Sequence, residues 1–195
     1  MFVNPKELKK LMKEAFKAEF LIVGSREDMY YIQGSYWKML CKKRFVPKEI
    51  LGLIVELTGE IPGDGECYCA GKSGNQMQLN PMEIEIPPEA TEIEITDFVV
   101  LHKLGVAQRI LQFPSSGNVY LINNKFAGMI SARFIDAEHG ELDPECALCS
   151  VNHGVFWENN VMKFTVCFRE DDEHWPALVQ LKNVKLYYEG GIANA

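Results

Sequence analysis

The chain switches between a helical and a strand-like rhythm of apolar residues, and it opens on the helical one. Over residues 5–18, PKELKKLMKEAFKA, the apolar positions Leu8, Leu11, Met12, Ala15 and Phe16 recur at spacings of three and four. That spacing gathers them on one side of a helix. Lys6, Lys10, Lys13 and Lys17 fall together on the opposite side, with Lys9 near one edge and Glu7 and Glu14 at the other. Residues 20–43 then crowd β-branched and aromatic residues around a polar turn, FLIVGS-RED-MYYIQGSYWKMLCKK, which predicts a hairpin. A shorter helix is expected over 47–57, because Pro47 stands in its first turn where a missing N–H removes no bond. Strands follow at 66–70 and 76–79. Glu83, Glu85, Glu92 and Glu94 alternate with Ile84, Ile86, Ile93 and Ile95, the pattern of half-buried strands with charged outer faces that discourage edge pairing.

Sliding the chain by 90 residues lays 11–45 on 101–135 without a gap. Leu11 meets Leu101, Lys13 meets Lys103, Leu21 meets Leu111 and Ser25 meets Ser115; Tyr30, Ile32 and Met39 meet Tyr120, Ile122 and Met129. Between these identities Phe16 falls on Val106, Phe20 on Ile110, Val23 on Phe113 and Tyr36 on Phe126. Fixed-period similarity of this kind is sought first because it decides the fold. It predicts two alike stretches, 1–80 and 91–188, in one domain. The first opens with a strand at 1–3, the second with one at 92–95. The second then has a helix at 98–107, a hairpin over 108–134, a helix at 144–151, strands at 154–157 and 161–168, and a closing strand at 177–188. Residues 81–90, with Pro81, Pro87 and Pro88, read as a linker, and 189–195 as a loose tail.

The resulting class is α+β, a duplicated β-α-β-β-β pattern. It resembles the DNA sliding clamp fold, whose familiar members are bacterial beta clamps and the proliferating cell nuclear antigen. The residues carrying the resemblance are MFVNPKELKKLMKEAF with LIVGSREDMYYI, repeated as LHKL with ILQFPSSGNVYLI, and the strand VMKFTVCFR at 161–169. The resemblance implies pseudo-two-fold symmetry, long helices on one sheet face, and a homo-oligomeric, non-enzymatic binding protein of DNA replication. It also implies contact with double-stranded DNA, insensitive to sequence, through basic helix residues: here Lys6, Lys9, Lys10, Lys13, Lys17 and Lys103. A lysine row spaced by three and four suits a phosphate backbone without reading bases. A solvated helix face gives the same row, because Lys is a good helix former. The second helix departs from the pattern, with Val100, Leu104 and Ala107 where the first has Lys10, Glu14 and Lys17. An alternative reading is a protein-interaction or scaffold module of the same topology without DNA.

Composition narrows this picture. The 195 residues are 47% hydrophobic and 24% charged, ordinary for a globular domain, which excludes disordered and fibrous classes. The net charge of −7 divides into a basic front, 1–60, and an acidic remainder. Six cysteines in a chain large enough to fold without staples suit a reducing, cytoplasmic setting. The first residues lack an apolar core of signal-peptide length, and no apolar run is long enough to span a bilayer. No cofactor, metal or catalytic group is expected.

Other groups of residues have both a chemical and a structural reading. His139, Cys146, Cys149 and His153 form H-x6-C-x2-C-x3-H, a zinc-like set, but the 90-residue register turns 144–151 into an apolar helix with both thiols in the core. On that helix Cys149 and His153 would share a face, the minimum for a thiol hydrolase. Gly65 to Ser73 imitates a phosphate loop with one residue too many between its glycines. Cys67 and Cys69 share a strand face, and Glu170–Glu173 with His174 reads as a turn. Tyr31 and Trp37, aromatics that do not recur 90 residues on, are the surface candidates for stacking near Lys42, Lys43 and Arg44.

Overall fold

The computed structural model describes residues 1–77, 84–102, 104–144, 146–168 and 175–187. In chain order the elements are α1 (Pro5–Lys17), β1 (Leu21–Arg26), β2 (Met29–Gly34), β3 (Trp37–Lys42), α2 (Lys48–Thr58), β4 (Cys67–Gly71) and β5 (Gly74–Met77). They continue as β6 (Thr91–Glu92), β7 (Glu94–Leu101), β8 (Ala107–Gln112), β9 (Val119–Asn123) and α3 (Asn124–Ala127). The last are β10 (Leu148–Ser150), β11 (Gly154–Glu158), β12 (Met162–Val166) and α4 (Trp175–Leu181). The class is α+β. Two compact units share the chain: residues 1–86, 129–145 and 156–166 form one, and 87–128, 146–155 and 167–195 the other.

In the first unit the strands run in the order β5-β4-β1-β2-β3-β12, followed by residues 156–158 of β11. Antiparallel ladders join β5 to β4, β4 to β1, β1 to β2, β2 to β3 and β3 to β12. Asn4 caps α1 by accepting from the Lys6 N–H, and Pro5 fills the first turn, where both choices satisfy or avoid orphan donors. The helix lays Leu8, Leu11, Met12 and Ala15 on β1, β2 and β4. Leu21, Val23, Ile32, Met39 and Phe164 are all 1% exposed or less, each worth about 1.5–3 kcal/mol of transfer free energy. Gly34 lets the helix and the Trp37 indole approach its backbone, since a Cβ there would meet both Trp37 and Ala15. Trp37 and Trp157 bracket Phe164 at ring distances of 6.4 and 6.1 Å. The Met1 ammonium lies 2.6 Å from Glu141 Oε2, both almost wholly buried, and Glu141 also accepts from the Asp136 N–H and Asn159 Nδ2.

In the second unit β7, β8 and β9 make a three-stranded antiparallel sheet, and β6 pairs with β10. Ile110, Val119, Leu121 and Leu178 form its core, with Val100, Leu181 and Leu186 packed against them. Three expectations fail here. The helix at 98–107 is instead the end of β7, a reversal, and the start of β8. Val99 and Val100 are β-branched and favour a strand, and Gly105 takes φ +74° to close the turn between His102 and Val106. In place of the helix at 144–151, Leu148–Ser150 form β10, held by β6 through Leu148↔Glu92 and Cys149↔Thr91, and Val151 begins a turn. In place of the closing strand at 177–188, residues up to Leu181 belong to α4, where Pro176 enters the first turn and Leu178 and Leu181 repeat at helical spacing, and 182–187 are turn and irregular chain. Residues 1–3 contribute only the isolated bridge Val3↔Ile130. The clearest trace of the 90-residue register is one hairpin. β2 and β9 begin 90 residues apart, whereas β1 and β8 begin 86 apart, so the ungapped overlay slips within it.

Candidate nucleic-acid interface

The periodicity that buries one side of α1 forces its lysines outward. Lys6, Lys10, Lys13 and Lys17 are exposed and Lys9 is half-buried. Lys103 lies outside the described residues. α2 runs beside α1 and sets its own acids against that row. Lys9 Nζ is 2.7 Å from Glu49 Oε2, Lys13 Nζ is 3.7 Å from Glu56 Oε1, and Lys10 Nζ pairs within α1 with Glu7 at 2.8 Å. Between the helices lies a groove of about 410 Å³, with Lys6, Lys9, Lys10 and Lys13 on one wall and Glu49 and Glu56 on the other. Gly52 and Leu53 floor it, and Gly52 has no heavy atom near where a Cβ would stand. These ion pairs are solvent-exposed, worth roughly 0–1 kcal/mol each, so an incoming polyanion can compete for the lysines.

The other predicted constellations come apart. Among the described residues no three His, Cys, Asp or Glu side chains gather where they could hold a metal. His139 is exposed and bonds Asp136 Oδ1 at 2.8 Å, a contact that raises the imidazole pKa and lowers that of the carboxyl. Cys149 and His153 do not share a helix face, because Cys149 is on β10 and His153 in the turn after it. Burial pushes the Cys149 thiol up to about 12, so it stays protonated and is no nucleophile at neutral pH.

His153 instead joins a cluster with no sequence signal. Its Nδ1 is 2.9 Å from Ser150 Oγ, which donates to Glu89 Oε1 at 3.0 Å. The same ring nitrogen faces Glu89 at 3.7 Å. A Ser-His-acid relay needs the two ring nitrogens to serve separate partners, and here one serves both. Glu89 stands 61 residues from Ser150, so spacing along the chain gave no warning.

The false phosphate loop is strand β4 and the turn that leads into β5. Its Lys72 and Ser73 N–H groups and the Ser73 hydroxyl donate to the Glu19 carboxylate at 3.0, 3.2 and 2.5 Å. Those bonds, the Ser73 hydroxyl first, hold the Glu19 pKa below its ordinary range. Tyr31 and Trp37 are not surface aromatics: they are 9% and 4% exposed, because both sit in strands whose neighbours cover them. Tyr36, at the turn, is 67% exposed, and Lys43 lies 5.5 Å from the Tyr30 ring centre.

No protein-family description, curated protein or solved structure matches this chain. No described helix is long and apolar enough to cross a membrane.

Proposed function

We propose that this chain is a non-enzymatic binding protein that engages the backbone of double-stranded DNA through the lysine face of α1, without reading sequence. One observation carries the reading: a single capped helix presents four exposed lysines on the face opposite its buried stripe, beside an open groove. The likeness to sliding clamps, with its duplicated and pseudo-symmetric halves, belongs to this proposal and draws on the 90-residue register and on α1 lying against a sheet. Several copies would be needed to enclose a duplex, in a reducing cytoplasm that suits a chain with six cysteines.

The experiment is retention of the protein on long duplex DNA as salt rises. Affinity should fall steeply between 50 and 200 mM salt, because phosphate contact releases counterions. Reversing Lys6, Lys10, Lys13 and Lys17 to Glu should abolish retention while leaving the far-ultraviolet spectrum unchanged. No retention at low salt sinks the reading.

A second reading is favoured by the pairing of Lys9 with Glu49 and Lys13 with Glu56. A face carrying both signs suits a protein partner, and the chain would then be an interaction module without DNA. Pull-down by a protein partner that survives on DNase-treated material and is lost on Glu49→Lys with Glu56→Lys would select it.

A further inference from the structure

Two glutamines four residues apart on β8 face the same layer and have opposite fates. Gln112 is fully used: its Nε2 donates to the carbonyls of Gly117 and Val184 at 3.1 and 2.9 Å and reaches that of Leu181 at 3.5 Å. Its Oε1 accepts from the Leu186 N–H at 2.9 Å. It therefore grips the end of α4 and the chain beyond. Gln108 is 1% exposed, and neither its Nε2 nor its Oε1 has a hydrogen-bond partner. Strand alternation puts it on the face of Ile110 and Gln112, directly opposite Val100 in the ladder. Val100 and Ile110 belong to the layer on which Leu178 and Leu181 rest.

A buried amide deprived of water without replacement is a standing penalty on the closed arrangement. Water admitted to that layer would restore both lost bonds. We propose that residues 175–187 form a releasable strap. Leu178 and Leu181 close it by apolar contact, Gln112 clasps its far end, and Gln108 biases it toward opening. Open, it bares Ile110, Val119 and Leu121 together with the two amides. Closed, it hides them. Gly117, at φ +70°, admits the Lys182 carbonyl where a Cβ would collide, so the closed seat is shaped closely to the strap.

Hydrogen exchange read by mass spectrometry on the full chain tests this. In the native protein the amides of 177–186 should exchange faster than those of β8 beneath them. Equal or slower exchange overturns the proposal. Gln108→Leu keeps the volume and removes the unpaired amide, and should slow strap exchange by about 5- to 150-fold while β1 and β2 stay unchanged. No slowing, or the same slowing in β1 and β2, overturns it. Gln112→Ala should speed strap exchange, and an unchanged rate counts against the clasp.

Discussion

The hairpins β1–β2 and β8–β9 share a rhythm of apolar residues and an antiparallel ladder, yet they live under different roofs. β1 and β2 turn through two residues, with Glu27 at φ +54° and its N–H bound by Asp64. β8 and β9 are joined by a longer excursion through Pro114 and the left-handed Gly117. Above the first lies α1, a capped amphipathic helix. Above the second lies α4, shorter and drawn from far along the chain, while the stretch equivalent to α1 has become β7. Similar hairpins therefore do not dictate similar layers. What covers a sheet is decided by the apolar stripe that reaches it, and that stripe can come from either side in sequence.

The comparison can be broken hardest at the core. Phe164→Ala, which empties a fully buried site between Trp37 and Trp157, should lower unfolding free energy by about 3–5 kcal/mol, measured by urea denaturation. A loss under about 1 kcal/mol would mean the first sheet's layer is not packed as described. Leu178→Ala should cost about 2–5 kcal/mol, and exchange should show the amides of β8 and β9 opening before those of β1 and β2. Uniform opening across both hairpins would erase the distinction between the two roofs.

Asn4→Ala should remove about 1 kcal/mol by orphaning the Lys6 N–H, with a matching fall in helical signal. The smallest effect is with pH. Glu19 has a depressed pKa, so its contribution is present above the ordinary carboxylate range, about 4.3, and is lost as pH falls through the lower folded value. Glu19→Gln should flatten the acid limb of stability, read as thermal midpoint against pH. His139 works in the other sense: its raised pKa contributes below about 6.5 and fades as pH rises through the folded value.

Much of the first unit was legible because its signals are local. Pro5, the three-and-four spacing of Leu8 to Ala15, and the polar turn at 26–28 each specify one element without outside help. The lysine face follows from the same spacing. The second unit was opaque for a physical reason. FVVLHKLGVA is apolar on nearly all sides, and periodicity does not separate a buried helix from a strand there; the β-branched Val99 and Val100 and the Gly at 105 carried the answer. ALVQLKNV suits a strand by its apolar content, yet Leu178 and Leu181 keep helical spacing. The acids facing the lysines came from α2, 40 residues from Lys9, a distance across which sequence spacing is silent.

The fate of the cysteines gives the molecule a built-in optical gauge. Cys41, Cys67 and Cys149 are buried, and burial raises all three thiols, Cys41 and Cys149 to about 12. Cys146 and Cys167 are exposed. A chromogenic thiol reagent added to the native protein should therefore colour in two stages, a prompt one from the outer pair and a slow one paced by the opening of the interior. The slow stage is a clock for unfolding that needs no label, because the chain carries its own reporters on both sides of its surface.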